Sequence, residues 1–190
     1  MTFEEMQQDF IRVRFAVPSL PIAGILVYAG IALASLATPP SYRNLVLFVG
    51  FWFIMPVGAA IMRLRGEENG PFPENPLFEL SALARVMVLA TWSIHIPVWV
   101  YAPDLFPLTV GIAFALHWVV SGWSRGTSIG LTHLAMRIAL VLVAWHAVPS
   151  NRVGAVSAAV AVSYLISVLQ FRFSAASSGL PAKTAPDGRS

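Results

Sequence analysis

Seven ionisable side chains fall inside stretches of sequence that are otherwise apolar: Glu79, Arg85, His95, His117, His133, Arg137 and His146. A charge placed in hydrocarbon is expensive, so each is a candidate for function. The arginines point to a particular chemistry, because a guanidinium stays protonated and forks onto carboxylate or phosphate oxygens. His133 and Arg137 are four residues apart and therefore share a helical face. His117 lies on an i, i+4 stripe with Thr109, Ala113 and Ser121. These spacings predict that Glu79, Arg85, His117, Ser121, His133 and Arg137 converge in one half of a helical bundle. Together they would line a polar cavity open to the cytoplasm that binds or transports a small anionic or polar solute, with Glu79 as counter-charge. His95 and His146 form a second, smaller polar cluster near the opposite ends of their helices.

Each of these residues also has a structural reading. Glu79 can pair with an arginine to hold helices together, and Arg85 and Arg137 can reach a nearby interface along their stems. Isolated histidines serve as hydrogen-bonding glue between helices. Metal sites on one helix space their ligands three or four apart, and no two histidines here do so. His133 and His146 are turned apart by about 220°. No metal or cofactor is therefore expected, with haem or a metal held by histidines from different helices as the alternative. Trp92, His95 and Trp99 make an i, i+3, i+7 stripe above Arg85, suited either to packing or to a cation–π contact. The sequence holds no phosphate-binding glycine loop, HExxH, G-x-S-x-G or pair of intramembrane aspartates. A membrane enzyme acting on a lipid, with a histidine as base beside Ser121 or Thr132, is one competing reading. A structural or assembly protein without a small-molecule site is the other.

The elements that must carry these residues are long and oily. Of 190 residues, 57% are hydrophobic and 11% charged, less than half the charge of an ordinary soluble domain. A spanning helix needs about 20 apolar residues. Six stretches qualify, at 17–37, 44–64, 77–101, 105–123, 128–148 and 153–171. The fold class expected is all-α, a polytopic transmembrane bundle of six spans. Short links at 38–43, 102–104, 124–127 and 149–152 make consecutive spans antiparallel neighbours. Pro56 and Pro97 predict kinks within the second and third spans. The small residues Gly154, Ala155, Ser157, Ala158, Ala159, Ala161 and Ser163 suit close packing of the sixth span or a homo-oligomer formed through it.

Three segments complete the layout. Residues 1–15 read as an amphipathic interfacial helix, residues 16–173 as the six-span domain and residues 174–190 as a disordered cytoplasmic tail. Thr2 and Glu5 fit a capping box, and Phe3, Met6, Phe10 and Val13 share a face, which suits either the membrane interface or docking on the bundle. Residues 65–75 read as an exposed loop. Glu4, Glu5 and Asp9 precede the first apolar run, where a secretory signal would be basic. Orientation follows from basic residues: Arg12, Arg14, Arg63, Arg65, Arg125, Arg172, Lys183 and Arg189 fall on one side, Arg43 and Arg152 on the other. The positive-inside bias places both termini in the cytoplasm and the protein in the plasma (inner) membrane, with the lipid bilayer as its partner. No basic stripe of the kind that binds nucleic acid is visible. The lack of cysteine excludes disulfides and thiolate chemistry, and the sole lysine, Lys183, excludes an intramembrane Schiff base.

The opening Thr2-Phe3-Glu4-Glu5-Met6-Gln7-Gln8-Asp9-Phe10, the Asn75-Pro76-Leu77 entry to the third span, and the His117…Trp123 pair carry a resemblance. With these motifs the chain resembles, over residues 2–173, a family of small bacterial multi-pass membrane proteins with no assigned function. That family implies a class of fold and assigns no catalytic or binding residue.

Overall fold

A computed structural model describes residues 1–13, 19–66 and 75–177; the side chains of residues 12, 13 and 174–177 are not described. Arg14, most of the 65–75 loop and the tail from residue 178 therefore lie outside the described residues. Six helices or helix pairs are long and apolar enough to cross a membrane: Ser19–Ala37, Pro40–Leu64, Pro76–Tyr101, Pro103–Ser124, Ile129–Ala147 and Pro149–Phe173. They match the six apolar stretches to within a few residues, because span length is set by the hydrocarbon thickness.

The spans are of two kinds. The first, fifth and sixth are continuous helices: α2 (Ser19–Ala37), α9 (Ile129–Ala147) and α10 (Arg152–Ser177). The other three are broken near mid-span. The second divides into α3 (Arg43–Trp52) and α4 (Ile54–Leu64), the third into α5 (Pro76–Ala90) and α6 (Trp92–Tyr101), and the fourth into α7 (Phe106–Ala113) and α8 (His117–Ser124). The break at Phe53 has the expected cause, since Pro56 cannot donate to the carbonyl of Trp52 four residues earlier. The third span breaks at Thr91 rather than beside Pro97. There the Thr91 hydroxyl donates to the Val88 carbonyl at 2.6 Å, a local bond that competes with the helix ladder. The fourth span turns at 114–116 with no proline, through tight bonds such as Ala115 N–H to the Ile112 carbonyl at 2.9 Å.

The three breaks meet in one aromatic knot. The Phe51 ring lies 4.2 Å from Phe114 and 5.3 Å from Trp92, and Trp92 stacks on Trp52 at 5.9 Å. Rings fill space generously where backbones part, and their edge-on contacts add to the packing.

The continuous helices form the centre. α10 packs along α2 on one side and α9 on the other; α3 and α4 lean on α2, α7 and α8 on α9, and α5 on α8. Lipid tails are as apolar as leucine, so close van der Waals packing must hold such helices together. Small residues permit it. A Cβ on Gly24 would sit 2.7 Å from the Tyr164 ring, and one on Gly130 would collide with the Trp118 carbonyl. In α10, Gly154, Ser157, Ala161 and Ser163 are buried within the chain, so much of the small-residue stripe serves its own bundle.

α1 (Phe3–Val13) lies across the ends of α5 and α8. Its capping box is formed: Thr2 N–H donates to Glu5 Oε2 at 2.7 Å and Glu5 N–H to Thr2 Oγ1 at 3.3 Å. Gln7 Nε2 donates to the Trp123 carbonyl at 2.9 Å, and Asn75 Nδ2 to the Met6 carbonyl at 2.8 Å. Phe10 is buried against Leu77 and Phe78. Part of the apolar face thus docks on protein, while Phe3 stays exposed. At the far side, the turns are knitted together by Arg43 to the Ser150 carbonyl (2.6 Å), Asn44 to the Pro103 carbonyl (3.0 Å) and the Arg152–Asp104 ion pair (2.9 Å).

Candidate functional site: a buried arginine at mid-span

Arg137 is the ninth of nineteen residues in α9, and its side chain is 0% exposed. At about 1.5 Å per residue it lies roughly 12 Å from the start of the helix and roughly 15 Å from its end. This depth and burial differ from a side chain reaching along its stem to a nearby interface. Its Nε donates to Ser163 Oγ at 3.0 Å. Its guanidinium carbon lies 4.1 Å from the centre of the Tyr164 ring. Both terminal nitrogens, Nη1 and Nη2, have no hydrogen-bond partner among the described residues. An arginine has five N–H donors in a fixed fork, so most of this fork is uncommitted.

The surroundings are polar without being acidic. Tyr28, the tenth of nineteen residues in α2, comes from the facing helix at the same depth. Its ring lies 6.2 Å from that of Tyr164, and its hydroxyl has no partner among the described residues. One turn before Arg137, His133 is 0% exposed and sits flat on Trp118, ring centres 3.8 Å apart. Its Nδ1 meets Ser167 Oγ at 2.6 Å, while Nε2 is unpartnered. Trp118 Nε1 and His117 Nδ1 are buried and unpartnered too. His117 lies within electrostatic reach of Arg137, His133 and Arg85.

Arg85, His117, His133 and Arg137 are thus brought to one region, with α8 between α5 and α9. Ser121 follows His117 by one turn and is half-buried. Glu79 is not brought there. The buried face of α5 carries Leu77, Phe78, Ser81, Ala84 and Val88, and Glu79 lies off that series, exposed. Among the described residues it makes no ion pair with either arginine. The stripe through Thr109 and His117 is cut by the turn at 114–116, and Thr109 meets His95 instead.

His95 and His146 take different surroundings. His95 is buried, with Nε2 3.0 Å from Thr91 Oγ1 and Nδ1 3.1 Å from Thr109 Oγ1. His146 is exposed beside Trp145. Among the described residues no three His, Asp or Glu side chains gather as metal ligands would. An open apolar groove of about 500 Å³, lined by Val27, Gly30, Ala34, Val49 and Phe53, lies between α2 and α3 and contains none of the polar residues above.

Tyr28, Ser163, Tyr164 and Ser167 are the parts that sequence reasoning missed. A signal exists: Ser163 and Ser167 are four apart beside a tyrosine, and Tyr28 interrupts an apolar run.

Residues 3–174 match a family of unknown function, DUF7010. The chain belongs to this family. That agrees with the resemblance read from its motifs, and membership brings no assigned activity. No curated protein and no solved structure matches the chain.

Proposed function

We propose that this membrane protein binds a small anionic or polar solute at Arg137 and works as a small transporter or ligand-binding protein. The observation that supports this is a guanidinium at the centre of the bundle with both terminal nitrogens unpartnered. A charge at that depth is costly unless paired, and among the described residues no carboxylate accompanies it. An incoming anion supplies the missing acceptors. In this structure the site is closed, since Arg137 and His133 are fully buried. The solute is taken up from the side where α1 lies, which the excess of arginine there makes the cytoplasmic side of the plasma membrane.

The test is the thermal unfolding of purified protein in detergent, titrated with formate or nitrate. A ligand of the native state raises the midpoint. The wild type is expected to respond and Arg137→Gln to be unresponsive; equal responses from both remove Arg137 from the site. Tags at the two termini both reporting the non-cytoplasmic compartment would refute the orientation.

A further inference from the structure

α5 brings a second guanidinium toward the same level. Arg85 lies on the inward series Phe78, Ser81, Arg85, Val88, and it is half-buried. Counting about 1.5 Å per residue, Arg85 is roughly 13 Å from the start of α5, His117 roughly 10 Å from the end of α8, and Arg137 roughly 12 Å from the start of α9. All three start from the α1 side, so they form a belt at one depth. His117 is carried by α8, which packs against both α5 and α9. Among the described residues Arg85 makes no hydrogen bond or ion pair. Toward the α1 side, the buried hydroxyls of Ser81 and Ser124 are unpartnered as well. The acids of the described residues lie elsewhere: Glu4, Glu5 and Asp9 on α1, Glu79 on the exposed face of α5, and Asp104 at the far side.

We infer that the ligand of the Arg137 site is a dianion, a dicarboxylate or a phosphate-like group, held by Arg137 at one end and by Arg85 at the other. This rests on the reading of Arg137 as the anion site. Two guanidinium groups with no acid at their level are neutralised by two negative charges. In a medium of low permittivity, each uncompensated charge matters far more than in water. α5 has the freedom that such a role needs. It is a half-helix that ends at the Thr91 break and packs chiefly on α8 and α1. A small rotation about Thr91 moves Arg85 while Arg137 stays fixed among three continuous helices. Arg137 is the anchor, and Arg85 reads the second charge.

The experiment compares two probes of nearly equal size, succinate and its monoamide succinamate, by equilibrium binding to the purified full chain at constant ionic strength. The wild type is expected to bind succinate at least about tenfold more tightly, the effect of one charged hydrogen bond. Arg85→Gln is expected to bring the two affinities together, mainly by weakening succinate. Arg85→Lys, which retains the charge, should keep most of the preference. Arg85 is half-exposed, so these variants are expected to fold, and an unchanged unfolding midpoint verifies it. Equal affinity for the two probes in the wild type, with binding still lost in Arg137→Gln, overturns the role of Arg85 and leaves Arg137 standing. A preference that survives Arg85→Gln overturns it equally. If the wild type binds neither probe nor a simple monoanion, the Arg137 reading fails and this one fails with it.

Discussion

The guanidinium of Arg137 lies 4.1 Å over the face of Tyr164, and it is the only fully buried charge in the described part of the chain. A desolvated cation–π contact supplies about 2 kcal/mol. The hydrogen bond to Ser163 adds about 1.5–3 kcal/mol. Against these stands a desolvation penalty of several kcal/mol for a lone ion. The opposing effects are of similar size, so Arg137 adds little to stability on balance.

That balance makes a prediction. Arg137→Met, of similar volume and without charge, is expected to unfold at the same temperature as the wild type or above it, while anion-induced stabilisation disappears. Replacing buried ions by apolar groups is commonly neutral or stabilising by about 1–4 kcal/mol. A fall of many degrees in the midpoint, measured in the same detergent, would identify Arg137 as a structural clamp.

The bond between His133 and Ser167, 2.6 Å long and buried, tests how tightly α9 and α10 are joined beside the site. Hydrogen bonds between membrane helices contribute about 0.6 kcal/mol on average and rarely exceed about 1.7 kcal/mol. A double-mutant cycle with His133→Phe and Ser167→Ala should return a coupling in the upper part of that range. A coupling indistinguishable from zero would mean the pair is incidental.

Gly130 and Gly30 should respond oppositely to alanine. At Gly130 a methyl group meets the Trp118 carbonyl, and α8 and α9 must separate; overpacking of this kind costs about 1–3 kcal/mol. At Gly30 nothing lies within 4 Å of the added carbon, so the helix propensity of alanine is expected to add up to about 1 kcal/mol. Unfolding midpoints of the two variants provide the comparison.

At the far side, Asp104→Asn should be mild and Arg152→Ala stronger. The Asp104 side chain is 81% exposed, and exposed ion pairs contribute at most about 1 kcal/mol. Arg152 also lies 4.5 Å over the Trp145 ring, a contact that its truncation removes and that the Asp104 change leaves in place. The Asp104 effect should fade in high salt while the larger part of the Arg152 effect persists.

How far the sequence foretold this molecule depends on the length scale of each feature. Span positions were legible because hydrocarbon thickness fixes the length of an apolar run, and the turns are short. The capping box on α1 was legible because its two residues bond each other. The turn at 114–116 was not, because no proline or glycine marks those positions and the packing of Phe114 on Phe51 and Trp92 is tertiary. Once that turn is present, Thr109 and His117 cannot share a stripe. Glu79 was misplaced for a related reason: sequence shows that a residue is in a span, but its direction depends on which neighbours cover the helix. Arg137 was legible as a charge, while its depth and the tyrosines around it required the pairing of α10 with both α9 and α2.

The pairing of α2 with α10 has a consequence for how the protein comes to exist. These are the first and the last of the six spans, and the polar centre belongs partly to each. At ordinary rates of synthesis, the hundred or so residues from Tyr28 to Arg137 take on the order of ten seconds to emerge. Throughout that interval Tyr28 and Ser35 sit in lipid without their eventual neighbours, and Arg137 enters before Ser163 and Tyr164 exist. Biogenesis therefore passes through a stage in which the bundle is fully threaded through the membrane but still unsealed, and a ribosome that stops short of α10 leaves an inserted chain with a naked charge for the quality-control machinery to recognise.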